Sequence, residues 1–183
     1  MRIVGGQHRS RTLFTPQDNN VRPTSDKVRQ AVFNILNSRG LVVDAVVIDA
    51  FCGTGALGLE ALSQGAHFAS FFDKSKKSLA LCQKNIDLLQ VKGQSHVALK
   101  DVTKIGARAD HIDPADLIFI DPPYHQDLVT PSIEALIKED WVTDKACFVI
   151  ETAKDENITC SFLSVELEKV YGDTKIMLAR IAQ

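Results

Sequence analysis

The chain has few cysteines and no long hydrophobic run, and these two absences exclude several classes of protein. Its four cysteines are scattered without any C-x-x-C spacing, which argues against both a zinc site and a disulfide framework. We therefore expect reduced thiols, and plain packing rather than catalysis for Cys52. No apolar run reaches the length of a membrane span, and the first residues lack the apolar core of a signal peptide. These features predict a cytoplasmic protein.

The charge of the chain is unevenly distributed although its net value is only -2. Residues 1–30 carry six basic and two acidic side chains, which gives +4 and leaves -6 for the remainder. A basic arm on an acidic body is typical of a nucleic-acid contact surface, because phosphates are neutralised by local positive charge. A merely solvated tail would give the same pattern, so charge alone leaves both interpretations open.

Hydrophobic periodicity predicts one compact α/β domain preceded by a short arm. Residues 1–24 show little periodicity apart from a possible strand at 11–14, so we divide the chain into an arm, 1–24, and a domain, 25–183. Ser25 is placed to cap a first helix that ends near residues 38–40. The following pattern alternates predicted strands, 46–51, 67–72, 95–99, 116–121 and 145–151, with predicted helices, 56–64, 75–90 and 129–138. This alternation predicts a parallel sheet with right-handed crossovers, against which the first helix packs.

The last segment of the chain has a different pattern. Residues 163–171 and 174–181 are typical of two strands, and Gly172-Asp173 between them is typical of a tight turn. A terminal antiparallel hairpin therefore completes a predicted sheet of seven strands, mostly parallel, with the last strand reversed.

A glycine-rich loop follows the first predicted strand. Gly53-x-Gly55-x-x-Gly58 formally satisfies the dinucleotide fingerprint, which by itself is weak evidence. Asp49 precedes the glycines, where a carboxylate would repel a pyrophosphate but can accept the ammonium of a methionine moiety, directly or through water. The charge thus favours S-adenosylmethionine over NAD, although Asp49 could instead satisfy the loop or cap the next helix.

The remaining cofactor contacts are predicted from the ends of the next strands. Gly53 and Gly55 allow close approach of the backbone, and the amides that open the helix at Ala56 can bind the cofactor carboxylate. Asp73 is placed to accept both ribose hydroxyls, or else to cap the following helix; Asp101 is placed to accept from the adenine amine, or else is an ordinary loop acid. The predicted cofactor-binding residues are Asp49, Phe51, Gly53, Gly55, Asp73, Lys74, Asp101 and Val102.

The motif Asp121-Pro122-Pro123-Tyr124 follows a buried predicted strand and is suited to presenting an amine. An exocyclic base amine is flat, and its lone pair is delocalised into the ring. Asp121 and a backbone carbonyl held by the stiff Pro122-Pro123 step can each accept one N–H, which directs the lone pair at a methyl donor. Tyr124 would stack on a flipped or single-stranded base. A plain turn is the alternative for the motif alone, and these four residues are our predicted catalytic set.

Together these motifs resemble the RsmD-type 16S rRNA guanine-N2 methyltransferases, which act on a guanine numbered 966 in that family. The resemblance runs nearly end to end. It is carried by residues 5–11, 22–34, 55–63, 121–124 and 171–174. Small departures, Ala50, Cys52 and Gln64, alter neither a charged ligand nor the amine-presenting motif.

The resemblance implies a class I, Rossmann-like fold with an N-terminal β-hairpin, S-adenosyl-L-methionine as cofactor, and 16S rRNA within a small ribosomal subunit or its assembly intermediate as substrate. It implies a monomer without metal or membrane association. RNA contacts are implied for Arg2, Arg9, Arg11, Arg22 and Arg29, although Arg22 could brace the cofactor pocket instead. Three other functions stay open: a DNA N6-adenine or N4-cytosine methyltransferase, a non-catalytic RNA-binding module, and a nicotinamide oxidoreductase.

Overall fold

The computed structural model describes residues 1–16 and 25–182, and its elements alternate as the periodicity predicts. Ser25 accepts a hydrogen bond from the Val28 amide at 3.2 Å and thereby caps the first helix. The helices are α1 (Asp26–Ser38), α2 (Ala56–Ser63), α3 (Lys76–Leu89) and α4 (Val129–Lys138). The strands are β1 (Val46–Asp49), β2 (Phe68–Asp73), β3 (Ser95–Leu99), β4 (Ala115–Ile120), β5 (Val142–Ala153), β6 (Leu163–Tyr171) and β7 (Thr174–Ile181).

The seven strands form one sheet in the order β3-β2-β1-β4-β5-β7-β6. The first five pair in parallel, whereas β7 pairs antiparallel with both β5 and β6. Gly172, with φ of +65°, lies in the turn between β6 and β7. The predicted class I, Rossmann-like sheet with a reversed last strand is confirmed. Strand β5 is longer than predicted because its polar start, 142–145, still pairs beside β4.

Helices cover both faces of the sheet, so the central strands are buried on two sides. On one face α1, α2 and α3 pack over residues such as Phe71 and Phe119, and the ring of Phe33 lies 5.6 Å from that of Phe119. On the other face α4 packs over residues that include Ile118 and Phe148. Burial on both faces explains why these strands are continuous apolar runs rather than alternating ones.

Residues 1–16 are fixed to the body of the protein by buried polar groups. Ile3 and Leu13 join the core cluster under α1 and α2, and one antiparallel bridge pairs Arg2 with Thr12. The Glu60 carboxylate, fully buried in α2, accepts hydrogen bonds from the amides of Val4 at 2.8 Å and Gly5 at 2.7 Å. The buried side chain of Arg29 completes this arrangement.

Arg29 joins α1, α2 and the N-terminal segment. Its Nε lies 3.3 Å from Glu60 Oε2, and its Nη2 lies 2.8 Å from Asp26 Oδ1. The same Nη2 donates to the carbonyl of Arg2. Because a charge in a dry interior is costly without a partner, the two buried side chains depend on each other.

No helix among residues 1–16 and 25–182 is long and apolar enough to cross a membrane. In the same part of the chain, no group of three or more His, Cys, Asp or Glu side chains could hold a metal ion. The four cysteines are free thiols, and three of them are buried.

Replacement of Glu60 by alanine is expected to destabilise the fold strongly. The change removes the buried carboxylate partner of Arg29, which keeps only the half-exposed Asp26, and it removes the acceptor of two backbone amides, so the free energy of unfolding should fall by about 3–5 kcal/mol. Urea denaturation followed by circular dichroism measures this change. Glu166→Ala is the matched control, since it also removes one carboxylate but from a surface ion pair with Arg39 and Arg180. The control should lower the free energy of unfolding by no more than about 1 kcal/mol. Equal losses of stability in the two variants would contradict the role given to the buried Glu60–Arg29 pair.

Candidate active site

The glycine-rich loop and the Asp121–Tyr124 motif lie at the same edge of the sheet. They follow β1 and β4, which are neighbours although two strands and two helices separate them in sequence. From β1 the chain proceeds outward through β2 and β3 before it returns to β4, so the crevice between β1 and β4 is the topological switch point. The two predicted motifs are therefore brought together.

Strand register fixes the spacing of the carboxylates at this edge. Asp49 is level with Phe71 in β2 and with Phe119 in β4. Asp73 and Asp121 each lie two residues farther along their strands, about 7 Å beyond Asp49 in the strand direction. Three carboxylates thus surround the crevice from three neighbouring strands.

Asp49 is a buried carboxylate at the floor of the crevice. Its Oδ2 accepts a hydrogen bond from the Gly58 amide at 2.9 Å, in the first turn of α2, so it does cap that helix. The pKa of Asp49 is raised to about 7, mainly by burial; the Gly58 amide opposes this shift, and the charge of Asp73 adds to it. A cation bound beside Asp49 would reverse this shift, which is the behaviour expected of an ammonium-binding carboxylate.

Asp73 ties the glycine-rich loop to the start of α3. Its Oδ2 accepts from the Gly53 amide at 3.0 Å, and its Oδ1 accepts from the Ser75 amide at 2.7 Å. The N-cap of α3 is Ser75, whose hydroxyl accepts from the Ser78 amide, so the alternative that Asp73 caps this helix is wrong. The helix begins three residues after Asp73, one residue later than the sequence pattern predicted.

The glycines of the loop serve different purposes. Gly55 has φ of +81°, and a Cβ there would lie 2.7 Å from Cys82 Sγ, so this position is closed by packing. At Gly58 a Cβ would lie 2.4 Å from the ring of Phe71. Gly53 has φ of +53°, and a Cβ there would meet only the Phe51 carbonyl oxygen, at 4.0 Å. Only Gly53 therefore leaves room for a ligand to approach the backbone.

Cys52 is buried beside the loop and packs as expected. A hydrogen bond with Cys82 raises the pKa of the Cys52 thiol, and burial adds to the effect. A thiol kept protonated in this way is a poor nucleophile.

Tyr124 is anchored by its hydroxyl to the terminal strands. The hydroxyl donates to Glu151 Oε1 at 2.9 Å and lies 3.1 Å from Thr174 Oγ1. Burial raises the pKa of Tyr124, so the side chain stays neutral. The next residue is held as well, because the His125 amide donates to Glu156 Oε1 at 2.8 Å. The motif is thereby fastened to β5 and β7, with Asp121 half-buried, Pro122 buried and Pro123 exposed at its start.

The remaining predicted cofactor residues lie around the same edge. Phe51 is half-buried in the loop, and Lys74 is exposed after β2. Asp101 is exposed and accepts from both the amide and the hydroxyl of Thr103, at 3.1 and 2.7 Å, while Val102 is buried. The Thr103 hydroxyl is the main reason that the pKa of Asp101 is lowered. Asp101 thus caps a short 3₁₀ turn, 102–104, and its carboxylate stays at the surface.

The predicted RNA-contacting arginines divide into three groups. Arg2, Arg9 and Arg11 are exposed on the N-terminal segment, while Arg22 lies outside the described residues. The prediction that Arg29 contacts RNA is wrong, because its side chain is fully buried and paired with Glu60. Positive charge alone could not distinguish Arg29 from the exposed arginines. Its helical spacing from the apolar residues could, because residues 29, 32, 33 and 36 form the buried face of α1.

Sequence reasoning also missed several polar residues that support the site. Glu60, Asn85, Glu151 and Thr174 are all buried. For Glu60 the available signal was its position in a helix whose last six residues, 58–63, are all buried. Glu151 and Thr174 depend on long-range pairing of β5 with β7, which no local pattern reveals.

The sequence of this chain is similar to a known protein family over nearly its whole length. The family model described as conserved hypothetical protein 95 matches residues 1–180. Ribosomal RNA small subunit methyltransferase D of Escherichia coli K12 is 33% identical over 97% of this chain and 88% of its own length. The protein of the same name from Haemophilus influenzae is 30% identical over 85% of this chain and 80% of its own length.

Solved structures show the same architecture. The Escherichia coli protein yhhF superposes with a TM-score of 0.82 at 31% identity, over 100% of this chain and 99% of its own. Magnesium protoporphyrin IX methyltransferase from Synechocystis, solved with bound SAM, has a TM-score of 0.63 at 18% identity, over 85% of this chain and 79% of its own, and shares the fold alone. With its motifs, its topology and its nearly complete match in agreement, the chain belongs to the conserved hypothetical protein 95 family, the family of RsmD-type methyltransferases.

Proposed function

We propose that this protein transfers a methyl group from S-adenosylmethionine to the exocyclic N2 amine of a guanine in 16S rRNA. The observation that carries the proposal is the adjacency of β1 and β4, which brings the glycine-rich loop and the Asp121–Tyr124 motif to the two sides of one crevice. By family resemblance the target is guanine 966 in a small ribosomal subunit or its assembly intermediate. Such a substrate assigns the reaction to the cytoplasm.

The residues of the crevice fit a cationic nucleoside cofactor. Asp49 is buried and would be stabilised as a carboxylate by an ammonium group. The open face at Gly53 admits close approach of a ligand. Asp73 and Asp101 supply acceptors for hydroxyl and amine groups, and a pyrophosphate would meet three carboxylates here, which disfavours NAD. When bound, S-adenosylmethionine supplies an electrophilic methyl group on a positively charged sulfur.

The Asp121–Tyr124 motif presents the acceptor amine. The Asp121 carboxylate accepts one N–H of the guanine amine, and the backbone carbonyl at Pro122 accepts the other. These two hydrogen bonds make the nitrogen pyramidal and direct its lone pair toward the methyl group. As the nitrogen gains positive charge it becomes acidic, so its proton is lost late to Asp121 or to water.

Tyr124 contributes a flat, neutral surface for the base rather than acid or base chemistry. Its raised pKa keeps the hydroxyl protonated, and that hydroxyl is engaged by Glu151 and Thr174. Anchoring at the hydroxyl limits rotation of the ring and lowers the entropy lost when a base stacks on it.

The N-terminal arm would contact the RNA backbone. Arg2, Arg9 and Arg11 are exposed on a segment that Glu60 and Asn85 fix to the body. Fixed cations on the arm can orient the phosphate backbone without reading the sequence, and the base is then selected in the crevice. The small-subunit rRNA named for the relatives supports this substrate.

Asp121→Asn should lower kcat for methyl transfer by about 100- to 1000-fold while the fold is preserved, because a neutral amide is a weaker acceptor for the developing charge. The assay incubates labelled S-adenosylmethionine with under-methylated small subunits and analyses the nucleosides. The label is expected in N2-methylguanine. Asp116→Asn, at the other end of β4, is the matched control and should keep full activity. Label in adenine or cytosine would overturn the assigned chemistry.

Affinity for S-adenosylhomocysteine should depend on pH through Asp49. Below pH 7 the free protein holds this carboxyl protonated, and binding of the ammonium must release the proton, so affinity should fall by up to about tenfold per pH unit. Above pH 7 the carboxylate is already charged, and affinity should level off. Calorimetric titration between pH 5.5 and 8 measures both regimes. Asp49→Asn should bind more weakly with a flat profile over this range, and an unchanged slope in that variant would exclude Asp49 as the titrating group.

Replacing Arg9 and Arg11 by alanine should reduce the salt dependence of rRNA binding. Each lost phosphate contact lowers the slope of log K against log salt concentration by about 1. Filter binding at several salt concentrations gives the slope. Lys169→Ala is the control, since this lysine lies on β6 at the far edge of the sheet. Equal effects of the arm and control variants would contradict RNA binding by the arm.

A further inference from the structure

Asn85 is a fully buried amide in the middle of α3 that bonds to two separate parts of the chain. Its Oδ1 accepts from the Phe14 amide at 2.7 Å, and its Nδ2 donates to the Phe14 carbonyl at 3.1 Å. The same Nδ2 donates to the Thr54 carbonyl at 2.9 Å. One side chain therefore holds the end of the N-terminal segment and the glycine-rich loop together.

Thr54 is the residue of that loop between Gly53 and Gly55. Gly53 precedes it with an open face and a hydrogen bond to Asp73, and Gly55 follows it against Cys82 of α3. The Thr54 hydroxyl lies 3.8 Å from Met1 Sδ, so the N-terminal segment touches this residue directly as well. The Leu13 amide donates to the Met1 carbonyl at 3.1 Å, so the two ends of the segment lie side by side next to the loop.

The two sets of Asn85 bonds cannot change independently. If Phe14 leaves, the amide loses the partner of its oxygen and one of the two acceptors of its nitrogen, which is costly for a polar group that is buried in the docked state. The side chain would have to turn toward other partners, and the Thr54 carbonyl would lose its donor. Conversely, a ligand that fixes the loop fixes the orientation in which Asn85 receives Phe14.

From this geometry we infer that Asn85 is a positioning residue that couples binding of the methyl donor in the crevice to docking of the RNA-contacting arm. The inference rests on the proposed function, because it assigns the two ligands to the two sides of the amide. Donor binding favours the position of Phe14 that is hydrogen-bonded to Asn85, and this position fixes the end of the segment next to Arg11 for RNA binding. By thermodynamic linkage, RNA must then raise the affinity for the donor by the same factor.

The experiment measures the affinity of the full chain for under-methylated small subunits, with and without saturating S-adenosylhomocysteine. The ratio of the two affinities gives the coupling. The wild-type ratio should be about fivefold or more. In Asn85→Ala the ratio should fall to one while both ligands still bind. A general loss of stability would weaken RNA binding equally with and without the ligand and would leave the ratio unchanged. The ratio therefore distinguishes coupling from destabilisation. Gln83→Ala, which removes an amide on the same helix that donates to Asp87 at the surface, should keep the wild-type ratio.

A second measurement uses the unmodified protein and does not depend on the folding of a variant. S-adenosylhomocysteine should slow hydrogen exchange at the Phe14 amide, whose donor bond ends on Asn85. The inference would be overturned by any one of three results: a wild-type ratio of one, an unchanged ratio in Asn85→Ala, or a rate of hydrogen exchange at the Phe14 amide that does not change when the ligand binds. If the wild-type protein binds both ligands independently, only this inference fails; if it binds neither, the proposed function fails with it.

Discussion

Parallel pairing of β1 with β4 is the constraint on which the rest of the structure depends. It creates the switch point of the sheet, and it brings together two loops that are about seventy residues apart in sequence. The register of this pairing sets Asp121 two residues beyond Asp49 along the strands. In the proposed function, Asp49 faces the methyl donor and Asp121 faces the acceptor amine across this crevice.

Buried polar groups extend this constraint to the N-terminal segment. Glu60 and Arg29 hold the first residues, and Asn85 holds residue 14. Each of these groups costs desolvation free energy when buried and therefore tolerates few alternative partners. The segment is thereby fixed beside the glycine-rich loop, and Asn85 links it to that loop directly.

Most of the fold could be predicted from the sequence, because two-sided burial leaves apolar runs for the strands and 3.6-residue periodicity for the helices. The β6–β7 hairpin was equally clear, since Gly172-Asp173 separates two strand-like segments of similar length. The positions of Asp49, Asp73 and Asp121 followed from the rule that ligands bind at the carboxyl ends of parallel strands. The partners of Tyr124 and Asn85 did not follow, because they belong to elements distant in sequence. Arg29 was misassigned because its charge was considered without its place on the buried face of α1.

The central claim is that one carboxylate stabilises the positive charge of the donor while another orients the amine of a guanine beside it. A crystal structure of the protein with S-adenosylhomocysteine tests this claim most directly. The account predicts that the amino group of the ligand lies beside Asp49, and that its sulfur faces Asp121 across a gap large enough for a purine stacked on Tyr124. A ligand bound elsewhere, or a sulfur remote from Asp121 with no space for a purine, would contradict it.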